Sequence, residues 1–185
     1  MLRSREELRA GLRAAFTEFA DGRSSVRIFA AIPDSVMPVM AGFWWDDDRI
    51  RALGLAVEEL PFGELAWGLE VPFWSHGRKP FSVRGREVLE NPDRYPEHRR
   101  RVHWSNLRHP LTLYEKGGRW IILDGYHRLV KAAREERSQL AVVRLPEAAV
   151  RGVLVRHGFD GALNALYEAH GEFLTEAREV ARDLL

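Results

Sequence analysis

The chain contains no cysteine. That absence excludes disulfides, thiolate metal ligands and cysteine nucleophiles together. No apolar run approaches the roughly 18 residues a membrane-spanning helix needs. The first sixteen residues, MLRSREELRAGLRAAF, carry charges throughout, unlike a secretory signal, so a cytoplasmic location is the expectation. No excess of one sign exists either, since 28 Lys and Arg face 27 Asp and Glu. Any attraction for an anion must therefore be local. The pattern GxxxxGK[ST], the dinucleotide fingerprint and the H-E-x-x-H zinc motif are all missing, and His76, His98, His103, His109, His157 and His170 show no metal-ligand spacing.

What is present is an ordinary globular composition, 45% hydrophobic and 30% charged, in 185 residues. That length allows one sizeable core. Ser4 and Glu7 form a capping-box pattern ahead of Leu8, Leu12, Ala15, Phe16 and Phe19, which predicts an amphipathic first helix ended by Asp21-Gly22. Val26 to Ile32 reads as a strand closed by Pro33. A short helix is expected near Asp48 to Leu53, a strand near Leu55 to Leu60, and a short helix over Val83 to Leu89, halted at Asn91-Pro92. Asp46, Asp47 and Asp48 suit a solvated helix N-terminus better than a metal site. Residues 75–109 otherwise look loop-like. Their last part, HRRRVHWSNLRH, holds four arginines, three histidines and no carboxylate.

The clearest organisation follows. PLTLYE and RWIILD are β-rich runs separated by Lys116-Gly117-Gly118, a hairpin signal. His127 to Arg137 has helical spacing, and Leu140 to Leu145 reads as a strand. Strand, helix and strand in that order predict a βαβ unit with parallel strands. Two or three helices complete the chain. The expectation is a single α+β domain over 1–185, with a core at about 55–146 and helical extensions at about 1–54 and 147–185.

At residues 124–128, DGYHR joins the end of a buried strand to the start of a helix. Cations there oppose the helix macrodipole, so local stability does not favour them. Anion binding does. The first N–H groups of a helix are unpaired, Gly125 lets the backbone approach closely, Arg128 can hold a phosphate with two hydrogen bonds, and His127 adds a titratable donor. A plainer alternative has Asp124 capping the helix and Arg128 pairing with a nearby carboxylate.

DGYHRLVKAA, with its preceding hairpin and following strand, resembles the signature of the ParB/sulfiredoxin superfamily, whose members bind nucleotide phosphates with Gly-x-x-Arg at this turn. Sulfiredoxins carry Gly-Cys-His-Arg, free serine kinases Asp-Gly-His-His-Arg, and ParB partition proteins Gly-Glu-Arg-Arg. The similarity covers about Pro110 to Leu145 and extends more weakly to VEELPFGELAW at 57–67. It implies a ParB/sulfiredoxin-like mixed sheet with a strand–turn–helix phosphate site and added terminal helices. Tyr126 stands where sulfiredoxins keep their catalytic cysteine, which excludes sulfinic-acid repair. Glu147 to Leu185 contains no convincing helix-turn-helix of the kind ParB proteins add.

Two function classes follow from the resemblance. One is a small-molecule kinase using ATP or a related nucleotide with Mg²⁺. Gly125, His127 and Arg128 would hold the phosphates, Asp124 would bind the metal or orient the acceptor, and Glu70 or Glu64 would be the base. The other is a non-catalytic, nucleotide-responsive regulatory or nucleic-acid-associated protein. Arg99, Arg100 and Arg101 would close over the outer phosphates in either class, contact a polyanion, or form a solvated helix face. Trp67, Trp74 and Tyr126, with Trp44 and Trp45, are candidate walls of an acceptor pocket, although core is the commoner place for tryptophan.

Overall fold

The computed structural model describes residues 4–185. In chain order the elements are α1 (Arg5–Glu18), α2 (Ala20–Ala30), α3 (Asp47–Ala52), β1 (Glu58–Pro61), α4 (Phe62–Leu65), β2 (Trp74–His76), β3 (Lys79–Val83), α5 (Gly85–Glu90), α6 (Pro96–Trp104), β4 (Leu111–Lys116), β5 (Arg119–Asp124), α7 (Tyr126–Arg134), β6 (Gln139–Leu145), α8 (Glu147–Val153), α9 (Gly158–His170) and α10 (Leu174–Asp183). The fold is α+β with a mixed sheet. The chain divides into two compact units. The N-terminal part through Leu53 joins Ala148–Leu185 in one, and Gly54–Glu147 forms the other. The two segments expected as separate helical extensions thus belong together.

In the helical unit, the Ser4 hydroxyl accepts from the Glu7 N–H while the Glu7 carboxylate accepts from the Ser4 N–H, so the predicted capping box is made. The helix ends at Phe19, not at Asp21-Gly22, which lie inside α2. The strand expected at Val26 to Ile32 is instead the second half of α2 and the turn after it. Val26, Phe29 and Ile32 are the buried positions, and their spacing of three puts them on one side of a helix, whereas a strand would bury alternate residues. Phe16, Phe29 and Phe159 then meet around a shared core, with Phe16 and Phe29 edge to face at 5.1 Å. Asn164 on α9 is fully buried here. It donates to the carbonyls of Trp44 and Val155 and accepts from the Trp44 N–H, replacing the missing ladder bonds of an irregular segment.

In the other unit the sheet order is β1-β6-β4-β5. The Gly117-Gly118 turn, with positive φ at both glycines, joins β4 and β5 as an antiparallel hairpin. β6 pairs parallel to β4 and antiparallel to β1. The predicted parallel relation of β5 and β6 is therefore wrong: β6 runs opposite to β5 and lies two places away. Thr112 at the start of β4 faces Asp124 at the end of β5, and Leu111 faces Val142 of β6. The connection consequently begins and ends at the same end of the sheet, and α7 crosses it without having to return along a strand. β1 is shorter and later than expected. The loop-like stretch 75–109 contains the β2–β3 hairpin, α5 and α6. Leu65, Val83, Leu113, Leu129 and Val142 are completely buried at the centre of this unit.

Candidate functional site

The end of β5 and the start of α7 form the predicted strand–turn–helix. Gly125 is the N-cap, with φ of 116°, a left-handed conformation that a side chain would strain. A Cβ there would lie 2.7 Å from Leu111 Cγ and 3.3 Å from Nε and Nη2 of Arg128. Glycine thus lets the Arg128 side chain fold back against the turn. Arg128 Nη1 donates to the Pro110 carbonyl at 2.6 Å, and Nη2 donates to Asp124. Arg128 is held with its side chain only 15% exposed, whereas that of Asp124 is 53% exposed. The plainer reading of the arginine is therefore realised: it has a carboxylate partner. Asp124 does not cap α7, whose N-cap makes no side-chain bond.

His127 sits differently. Its ring lies beneath the Trp74 indole at 4.3 Å and 13°, and His98 from α6 lies beneath the same indole at 4.6 Å and 10°. The two imidazoles are nearly coplanar, with Nδ1 of His98 3.5 Å from Nε2 of His127. His98 Nε2 reaches the Ser75 carbonyl at 3.0 Å, which requires its proton on Nε2. Burial lowers the His127 pKa to about 4, and the nearby His98 and Arg101 act in the same direction. A ring with this pKa meets a phosphate without the charge of an imidazolium.

Tyr126 turns away from this pair to pack on Phe73 at 4.3 Å. Its hydroxyl is buried without a partner among the described residues, and desolvation pushes its pKa well above the usual value. Gly68 leaves room for this ring, since a Cβ there would meet Tyr126 at 3.4 Å and Leu129 at 2.8 Å. Trp67 carries the Arg119 guanidinium on its face at 4.5 Å. Trp67 therefore belongs to the far end of β5, while Trp74 belongs to the turn. Trp44 packs against Phe29 and Phe173 in the helical unit, and Trp45 donates to Asp47 there.

The basic segment is helical over α6, with His98 and Val102 inward and Arg99, Arg100 and Arg101 exposed. Arg99 pairs with Asp93 and Arg101 with Glu97. Of the three, Arg101 is the one whose charge is felt at His127. Lys131 of α7 closes the end of α6 by donating to the carbonyls of His103 and Ser105. Glu70 pairs with Arg86, and Glu64 is exposed, so no bond brings either carboxylate to the turn. No group of three or more His, Asp or Glu that could hold a metal occurs among the described residues.

Sequence reasoning missed His98 and Phe73 as neighbours of the turn. His98 has one signal, its helical spacing of four from Val102, in a segment whose charge is the dominant feature. No family model matches the chain, and searches of curated proteins and of solved structures find no similar protein.

Proposed function

We propose that this chain binds a nucleotide by its phosphates at Gly125–Arg128 and transfers a phosphoryl group to a small hydroxylated molecule. The observation carrying the proposal is the back-folded Arg128. A half-buried guanidinium beside the free N–H groups of a helix start, tied to a half-exposed carboxylate, is a cation stored where an anion would sit. A phosphate can replace Asp124 as the partner of Arg128. The released Asp124 carboxylate then takes the proton of the acceptor hydroxyl as its oxygen bonds the terminal phosphorus and the bridging oxygen–phosphorus bond breaks, leaving the nucleoside diphosphate. Asp124 replaces Glu64 and Glu70 as the preferred base because they have other surroundings. One carboxylate already bound by arginine does not make a metal cage. Mg²⁺ is accordingly read as arriving on the nucleotide phosphates, its usual mode of binding.

The non-catalytic reading keeps one supporting observation, the exposed arginine-rich face of α6, whose Arg100 has no ion pair among the described residues. Thermal unfolding with ATP, ADP, CTP and GTP, with and without Mg²⁺, tests binding. A ligand at a hundred times its Kd adds roughly 2.7 kcal/mol. The expected result is a shift that disappears in Arg128→Ala. Phosphorus NMR of the binding nucleotide with candidate hydroxylated acceptors then tests transfer. Turnover lost in Asp124→Asn supports the kinase, binding without turnover supports the regulatory reading, and no shift with any nucleotide rejects both.

A further inference from the structure

A second feature lies along α7. Arg128, Lys131, Ala132 and Glu135 recur at the spacing that places them on one helical face. Lys131, Ala132 and Glu135 line a cleft of about 760 Å³, whose other walls come from the 103–108 segment, Leu111 and the start of β6. Leu111 is shared: it lines the cleft and is the residue a Cβ on Gly125 would strike. Leu111 thus adjoins both the turn and the cleft, and the stripe from Arg128 to Glu135 spans about 10 Å at 1.5 Å per residue. That length is comparable with the separation of outer phosphate and base in an extended nucleotide.

Its chemistry is selective. Trp104 stands 76% exposed at the wall and meets His103 nearly at right angles at 5.2 Å, so much of its indole surface is open. Leu111 and Leu140 provide an apolar floor. The Asn106 amide nitrogen and the whole Gln139 amide have no partner among the described residues, although Asn106 Oδ1 already accepts from Arg108 N. An open indole beside unpaired amides, which donate and accept, suits a flat heteroaromatic ring with donors and acceptors on its edge. The size falls within the roughly 300–1,000 Å³ of small-molecule pockets.

We infer that this cleft is the base-recognition site for the nucleotide whose phosphates bind at Gly125–Arg128, with Trp104 stacking on the base and Asn106 and Gln139 reading its edge. The inference rests on the phosphate reading of the turn, and the test separates the two. Calorimetry measures the affinity of the preferred nucleoside triphosphate and of inorganic triphosphate for the whole protein. Wild-type protein should prefer the nucleotide by about tenfold or more, as one base–aromatic stack supplies. That preference should fall to about one in Trp104→Ala and shift between bases in Gln139→Glu. Both are surface positions, and circular dichroism checks that the variants are folded. Binding of both ligands with no preference, or a preference that survives both substitutions, overturns the base site while the phosphate turn stands. A single-stranded oligonucleotide bound more tightly than any mononucleotide also overturns it. Binding of neither ligand rejects the turn and the base site together.

Discussion

Arginine 128 and His127 are adjacent in sequence but occupy opposite electrostatic situations. Arg128 donates hydrogen bonds to the Asp124 carboxylate and the Pro110 carbonyl. His127 is neutral because the indole, a second imidazole and Arg101 surround it without an acceptor that favours the charged form strongly enough; Asp124 and Glu97 oppose the shift but do not reverse it. A pH dependence follows. The folded pKa of about 4 lies below the usual histidine value near 6.5, so the unfolded chain binds the proton first as pH falls. The neutral ring contributes stability that is fully present above about 6.5, is lost between about 6.5 and 4, and changes no further below 4. Urea unfolding across this range should show stability falling with acidity in wild type and a shallower slope in His127→Gln. Equal slopes would mean that His127 is not kept neutral by its surroundings.

Among elements, α2 departs from its local sequence signals and α7 follows them, for opposite reasons. In VRIFAAI the β-branched residues suggested a strand, yet Val26, Phe29 and Ile32 bury at helical spacing against the other helices. Tertiary packing decided between two permitted local structures. In α7 the glycine N-cap, the apolar spacing and the preceding strand all agreed. The segment after α8 and the chain around Trp44 depend on one side chain that periodicity does not reveal. Asn164 makes three hydrogen bonds from a fully buried position. Asn164→Ala leaves the Trp44 N–H and the Val155 carbonyl without that partner, while the Trp44 carbonyl keeps the Val155 N–H, and each buried orphan costs roughly 1–3 kcal/mol. A loss of at least about 2 kcal/mol in chemical denaturation is expected, and a loss below about 1 kcal/mol would show that the backbone groups find other partners.

On the scale of the molecule, the chain makes two cores instead of one core with appendages. Gly54–Glu147 contains the four-stranded sheet, the β2–β3 hairpin, the Gly125–Arg128 turn and the cleft, and its central side chains are buried by residues of the same segment. The other unit is built from both ends of the sequence, with Arg5, Arg9 and Arg13 of α1 paired to Glu176, Glu179 and Asp183 of α10. These pairs are largely exposed and add little to stability, so the apolar contacts between helices must hold that unit. A fragment spanning 54–147 is expected to fold with one cooperative transition and retained near-UV circular dichroism. A fragment lacking both signals would show that its core depends on the rest of the chain.

By itself the sequence determined the local structures whose signals are short-range: the capping box at Ser4, the Gly117-Gly118 hairpin, the α7 start at Gly125 and the exclusion of cysteine chemistry. It also contained the Gly125, His127 and Arg128 set as a motif. Only the tertiary structure decided the direction of β6, the union of the chain ends in one unit and the meeting of His98, His127 and Trp74. Those are contacts between residues far apart in sequence, chosen by which arrangement buries the apolar faces and satisfies the polar groups at the same time. Local periodicity carries no record of that choice.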